Sequence, residues 1–251
     1  MISVRHLHKS FGDKPVLIDA SVDVYDGETL AIIGHSGSGK SVLMKHMIGL
    51  LKPDRGRVLV DDIDLNEISY DELRQIRKSF GVLFQGGALF DSMTAYDNVA
   101  FPLRTFSDFS DPEIGDRVMY CLERVHLADI GKKQPSELSG GMRKRVALAR
   151  AIALEPKYIL YDEPTSGLDP QTATAINQLI RQLADDLAVT SVIITHDMRT
   201  VLTVGDRCVF LYDGSARWTG TTDELHNADD EVLLSFVRAN EYHIGPSPLI
   251  S

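Results

Sequence analysis

Positive charge is scarce in this sequence. Its 251 residues hold 26 lysines and arginines against 36 aspartates and glutamates, a formal net charge of −10. That balance leaves no basic footprint, so no nucleic-acid partner is expected. Cysteine is almost missing. Cys121 and Cys208 lie far apart, match no metal-ligand spacing and are expected as buried thiols in a reducing compartment. No apolar run reaches the roughly 18 residues that a membrane-spanning helix needs. The start, Met1-Ile2-Ser3-Val4-Arg5-His6, lacks the charged-then-apolar pattern of a signal peptide. Action on a membrane is therefore expected from the cytoplasmic side, through a partner. Low-complexity tracts and repeats are also missing.

What remains is an ordinary globular composition, 43% hydrophobic and 25% charged, in a chain long enough for one large domain or a core with a small subdomain. Short strands are expected at Ile2–Leu7, Val16–Val24 and Glu28–Ile33, punctuated by Gly12-Asp13 and Asp26-Gly27. A glycine-rich loop and an apolar helix from about Ser41 to Leu50 follow. Further strands are expected at Arg57–Val60 and Phe80–Phe84. From about Ala88 to Glu155 the pattern turns helical: Asp111-Pro112 reads as a helix start, and Ile114, Val118, Cys121, Leu122 and Val125 recur at helical spacing. Then Tyr158–Tyr161 and Val189–Thr195 read as unbroken apolar strands around a helix from Pro170 to Leu187. Such strands suit a parallel sheet covered on both faces.

Gly34-His35-Ser36-Gly37-Ser38-Gly39-Lys40-Ser41 follows an apolar strand and opens a helix, which is GxxxxGK[ST] in the context it requires. Its glycines let backbone N–H groups turn inward around phosphates, and the helix N-terminus adds partial positive charge. Lys40 is expected on the β- and γ-phosphates and the Ser41 hydroxyl on Mg²⁺. The strand Tyr158-Ile159-Leu160-Tyr161 then delivers Asp162-Glu163. An aspartate there can hold the Mg²⁺ shell beside the phosphate loop, and the added Glu163 can orient or deprotonate the attacking water. Gln85 and His196 each follow an apolar strand; alone, either is an unremarkable polar residue.

Leu138-Ser139-Gly140-Gly141-Met142 resembles the LSGGQ signature of ABC ATPases and stands ahead of the Asp162 strand, as in that family. The resemblance covers about residues 1–222 and makes Gly34–Ser41 the Walker A loop, Gln85 the Q-loop, and Asp162 and Glu163 Walker B with its catalytic base. Ser166-Gly167-Leu168-Asp169 looks like the D-loop and His196 like the switch histidine, while Phe11 lies where an aromatic stacks on adenine. The family implies that Ser41, Gln85 and Asp162 serve the Mg²⁺ ion and that Ser139 and the two glycines face ATP held by a second copy. Their helix, expected to run to about Leu154, offers free N–H groups to that phosphate. Met142 replaces the usual glutamine but leaves the serine and glycine donors in place. The basic run Arg143-Lys144-Arg145 reads as mostly a solvated helix face.

The cargo is less explicit. No long heptad run marks a repair ATPase, and one ATPase unit rather than two sets the chain apart from the family's translation factors. Met142-Arg143-Lys144-Arg145 and Phe84-Gln85-Gly86-Gly87-Ala88-Leu89-Phe90 resemble the wording of the Mce/Mla class. Membership implies two copies beneath two copies of a multi-spanning permease, with an Mce-type lipid-binding protein, at the cytoplasmic face of the inner membrane. Phospholipid or another hydrophobic molecule is then the cargo. A polar amino-acid importer subunit, or a soluble ABC ATPase in DNA or assembly work, stays open. The expected fold is α/β: a P-loop NTPase core with an N-terminal antiparallel β-subdomain and an inserted helical part at about 88–156. A C-terminal extension covers 223–251, where a tail bearing Ile244, Leu249 and Ile250 is expected to pack on the partner ATPase.

Overall fold

A computed structural model describes residues 1–240. The expected tail contact of Ile244, Leu249 and Ile250 lies outside them. Two sheets make the frame. The first is antiparallel, in the order β2-β1-β4-β5, built from β1 (Ile2–Phe11), β2 (Lys14–Val24), β4 (Arg55–Val60) and β5 (Ile63–Asp64). The second runs β10-β9-β3-β8-β7-β6, from β3 (Thr29–Ile33), β6 (Phe80–Leu83), β7 (Tyr158–Asp162), β8 (Thr190–Ile194), β9 (Arg207–Tyr212) and β10 (Ser215–Thr221). Its strands are parallel except β10, which turns back on β9. The P-loop α/β core and antiparallel subdomain are as expected.

Alternation of side chains explains why the central strands are apolar throughout. In β7, Tyr158 and Leu160 enter one core while Ile159 and Tyr161 enter another. In β3, Leu30 and Ile32 join the first of these cores, under the antiparallel sheet, and Ala31 and Ile33 join a third. Each strand is thus buried on both faces, which leaves its C-terminal end as the place where polar residues meet solvent.

The helices are α1 (Lys40–Met47), α2 (Tyr70–Lys78), α3 (Ala95–Phe106), α4 (Asp111–Arg124), α5 (Gly140–Ala151), α6 (Pro170–Leu187), α7 (Met198–Val204) and α8 (Glu231–Asn240). α3, α4 and α5 bury Val99, Leu103, Val118, Leu122, Val146 and Leu148 in the same core as Ile159 and Tyr161, so the helical stretch is packed onto the sheet. Three helix boundaries differ from expectation. α1 ends before Leu50, because Gly49 (φ 65°) closes a Schellman motif: its N–H donates to His46 O, and Leu50 N–H donates to Lys45 O. α4 is capped at Ser110 instead of Asp111, since Glu113 accepts from the Ser110 N–H at 2.7 Å and hydroxyl at 2.6 Å. α5 stops at Ala151, short of Leu154.

Gly81 in β6 marks a close join between α5 and the sheet. A Cβ there would stand 2.3 Å from the carbonyl oxygen of Ala151, at the end of α5. Backbone cannot yield as a side-chain tip can, so Gly81→Ala is expected to cost about 2–3 kcal/mol. Thermal melting should fall by roughly 4–12 °C; an unchanged melting temperature would refute the account.

Candidate nucleotide site

The C-terminal ends of β3, β7 and β8 open on one cleft of about 610 Å³. Its walls carry Phe11, Gly34, His35, Ser36, Gly37, Gly39, Lys40, Ser41, Gln85, Asp162, Glu163 and His196. Residues expected from five separate stretches of sequence thus meet at one place. Ser38 lies in the adjoining depression beside Ser36 and Tyr212.

The phosphate loop shows why it needs its glycines. Gly39, the residue before α1, has φ 103°, and a Cβ on it would meet Val16 O at 2.9 Å. No acidic residue occupies the first turn of α1, so the positive end of the helix is left for an anion. Lys40 is buried, and its ammonium donates to Gly34 O at 2.7 Å and His35 O at 2.9 Å. Burial pushes its pKa down, against the pull of Glu163 and Asp162.

Ser41 donates to Asp162 Oδ1 at 3.1 Å, which joins the first turn of α1 to the end of β7. A hydroxyl and a carboxylate oxygen so placed suit a hard divalent cation. Among the described residues no group of three or more His, Cys, Asp or Glu could hold a metal alone. The donor set therefore fits an ion that brings most of its ligands as phosphate and water oxygens, in the manner of Mg²⁺.

Glu163 has φ 49°, a left-handed conformation that costs a residue with a Cβ about 1–2 kcal/mol. Its N–H donates to Ile194 O of β8 and its carbonyl accepts the Ser166 N–H, so the turn is held from both sides. The carboxylate then reaches His196 Nδ1 at 2.9 Å. His196 is well exposed and Glu163 mostly covered. Gln85 Nε2 donates to Ser166 Oγ at 3.4 Å, linking the loop after β6 to the loop after Glu163.

Ser166, Gly167 and Leu168 line a second cleft next to the first, shared with Glu163 and His196. Asp169 is used differently: its carboxylate caps α6, accepting the N–H groups of Gln171 and Thr172. Leu138, Ser139, Gly140, Gly141 and Met142 line neither cleft. Ser139 caps α5, its Oγ accepting the Met142 N–H at 3.2 Å. Of the early N–H groups of α5, that one is already spent on the cap.

Three features escaped the sequence. Phe236 and Asn240 of α8 line the nucleotide cleft, and the Phe236 ring meets that of His35 edge-on at 5.0 Å. Lys144 does not lie on a solvated face: it is buried, and its ammonium donates to the carbonyls of Gln85 and Glu163. Thr165, Asn177, Asp197 and Thr200 form a hydrogen-bonded group beneath the second cleft. The cysteines are buried as expected, with the Cys121 thiol pushed up to about 11.

Comparison with known proteins accounts for this assembly. The family model described as ABC transporter matches residues 17–166. A probable ribonucleotide transport ATP-binding protein, mkl, of Mycobacterium leprae is 45% identical over 98% of this chain and 70% of its own length. The intermembrane phospholipid transport system ATP-binding protein MlaF of Haemophilus influenzae is 39% identical over 95% of this chain and 90% of its own. The methionine import ATP-binding protein MetN of Clostridioides difficile is 38% identical over 90% and 70%. A dimeric ATP-binding cassette solved in a post-hydrolysis state with ADP and Pi superimposes with a TM-score of 0.81 at 34% identity, covering 88% of this chain and 99% of that one. With its phosphate loop, carboxylate pair and signature helix on this fold, the chain belongs to the ABC transporter family as an ATP-binding, ATP-hydrolysing subunit.

Proposed function

We propose that this subunit energises the movement of phospholipid or another hydrophobic molecule between membranes, through a separate permease and an Mce-type lipid-binding protein. The observation that carries the reading is the match to MlaF, which runs through 95% of this chain and 90% of that relative. The wording Met142-Arg143-Lys144-Arg145 after the signature supports it. MetN, similar over 70% of its own length, favours a second reading as a polar amino-acid importer subunit.

In this reading residues 1–222 form the ATPase unit, with its helical part at about 88–156, and 223–251 extend it. Among the described residues no helix is long and apolar enough to cross a membrane. The subunit works as a peripheral protein on the cytoplasmic face of the inner membrane, docked to the permease near the Gln85 loop and the helical part. Two copies close around two ATP molecules. Phe11 stacks on adenine and Lys40 clamps the β- and γ-phosphates. Ser41 and Asp162, with Gln85, hold Mg²⁺, which when bound offsets phosphate charge. Glu163 takes a proton from the attacking water, and His196 and Gln85 register the γ-phosphate. Ser139, Gly140 and Gly141 serve the site of the other copy, with the D-loop Ser166–Asp169 beside them.

Purification of the native membrane complex, followed by mass spectrometry of its bound small molecules, tests the cargo. Phospholipid retained with a permease and an Mce-domain protein is expected; an amino-acid-binding protein with its amino acid in that place would sink the proposal. The cation has its own test. Chelation by EDTA should abolish hydrolysis and leave nucleotide binding measurable, and Ser41→Ala should raise the Mg²⁺ concentration needed for half-maximal rate by about tenfold. An unshifted Mg²⁺ requirement would remove Ser41 from the metal shell.

A further inference from the structure

Lys144 is a buried cation to which the ATPase chemistry above gives no task. Only 5% of it is exposed, and it sits in α5, the helix that Ser139 opens. Its ammonium donates to the backbone carbonyl of Gln85 and, at 3.3 Å, to that of Glu163. Three elements therefore meet on one side chain: the signature helix, the loop after β6 and the turn after β7.

A lysine is an expensive choice for filling space. Burial pushes its pKa down, against the attraction of Asp162 and Glu163. An apolar side chain would escape that penalty but would take this donor from the Gln85 carbonyl and leave the Glu163 carbonyl with the Ser166 N–H alone. The Glu163 carbonyl belongs to a residue held at φ 49°, where the backbone itself gives no support. It persists because Ile194 O takes its N–H, while Ser166 N–H and Lys144 approach its carbonyl. Arg150, further along α5, donates to Gly87 O at 2.8 Å and Ala88 O at 2.7 Å. The loop that begins at Gln85 is thus fastened to α5 at two points.

We propose that Lys144 is a positioning residue for hydrolysis: it ties the carbonyls of Gln85 and Glu163 to the signature helix, so that the two side chains facing the γ-phosphate turn with that helix. The inference rests on the reading of Glu163 and Gln85 as the groups that meet the γ-phosphate. Its consequence is communication between sites. Ser139 at one end of α5 serves the partner's ATP, and Lys144 on the same helix sets the hydrolytic pair of its own chain. Arrival of ATP in one site is thereby felt as alignment in the other.

Steady-state ATP hydrolysis by the full chain carrying Lys144→Met or Lys144→Gln, with Glu163→Gln as control, tests this. The methionine fills the volume and lacks donors; the glutamine restores an N–H donor without the charge. Lys144→Met should lower kcat about tenfold with KM for ATP within about twofold, the split expected when alignment and not binding is lost. Lys144→Gln should recover to within about threefold of wild type, because the tie is a hydrogen bond. A methionine variant at wild-type kcat would overturn the proposal, as would a glutamine variant no better than the methionine one. If Glu163→Gln itself turned over at the wild-type rate, the reading of the hydrolytic pair would fail. If that control is inactive and Lys144→Met is not slowed, the positioning role alone falls.

Discussion

Glu163→Gln should reduce ATP turnover by at least about a hundredfold while leaving ATP bound. The substitution is nearly isosteric, and the backbone that holds position 163 does not depend on the side chain: Ile194 O, Ser166 N–H and Lys144 all engage main-chain atoms. The amide oxygen can still accept from His196 Nδ1, now 2.9 Å from the carboxylate. What disappears is a group able to take a proton from water. A hundredfold corresponds to about 2.7 kcal/mol in the barrier, within the range for removal of a general base. Lys40, Ser41 and the loop N–H groups are untouched, so affinity for ATP should hold. With the γ-phosphate retained, the two-subunit sandwich should accumulate, visible as an ATP-dependent dimer in size-exclusion chromatography. Rapid hydrolysis by the variant would remove Glu163 from the reaction and pass the role to another group in the cleft.

Most of the site was legible because it is built from strand ends. The phosphate loop, Gln85, Asp162-Glu163 and His196 each follow an apolar strand, and a parallel sheet brings such ends to one edge whatever lies between them in sequence. The chemistry is local to each junction, so it can be read before the fold is known. Lys144 shows the opposite case. Basic residues in a row on a helix are normally solvated. Here the Gln85 loop and the Glu163 turn close over one of them, an arrangement set by tertiary packing alone. Phe236 was out of reach for the same reason, since nothing in α8 announces that it folds back onto His35.

Two other misses have local explanations. α2 has no fully buried residue: its apolar stripe is short, with Leu73 and Ile76 only partly buried against the core under the antiparallel sheet. Its signal was nonetheless present: Ser69 and Glu72 form a capping box in which each side chain serves the other's backbone N–H. The first hairpin is longer than its apolar residues suggested. β1 runs to Phe11 and β2 starts at Lys14, with Gly12 at φ 59° making the turn. Polar side chains there face solvent, so only backbone pairing defines the strands. This extension carries Phe11 to the edge of the nucleotide cleft, half exposed, with the Lys9 ammonium 5.7 Å from its ring centroid.

The proposed division of one active site between two chains leads to the second large effect. Ser139→Arg should abolish turnover, by about a hundredfold or more, and leave the affinity of the isolated chain for ATP unchanged. The affinity should hold because none of Leu138–Met142 lines the chain's own nucleotide cleft. Ser139 Oγ instead accepts the Met142 N–H, and the glycine N–H groups beside it have no carboxylate in their first turn to satisfy them. An arginine at that position removes the cap of α5 and places bulk where the partner's phosphate must arrive. Lys40→Met supplies the contrast. It removes the ammonium that Gly34 O and His35 O now hold, so it should lose both turnover and ATP binding. Titration of each variant with a fluorescent ATP analogue, next to its hydrolysis rate, separates the two. If Ser139→Arg weakened ATP binding as strongly as Lys40→Met, the signature would belong to its own chain's site. The composite arrangement, and with it the proposed link through Lys144, would then have to be abandoned.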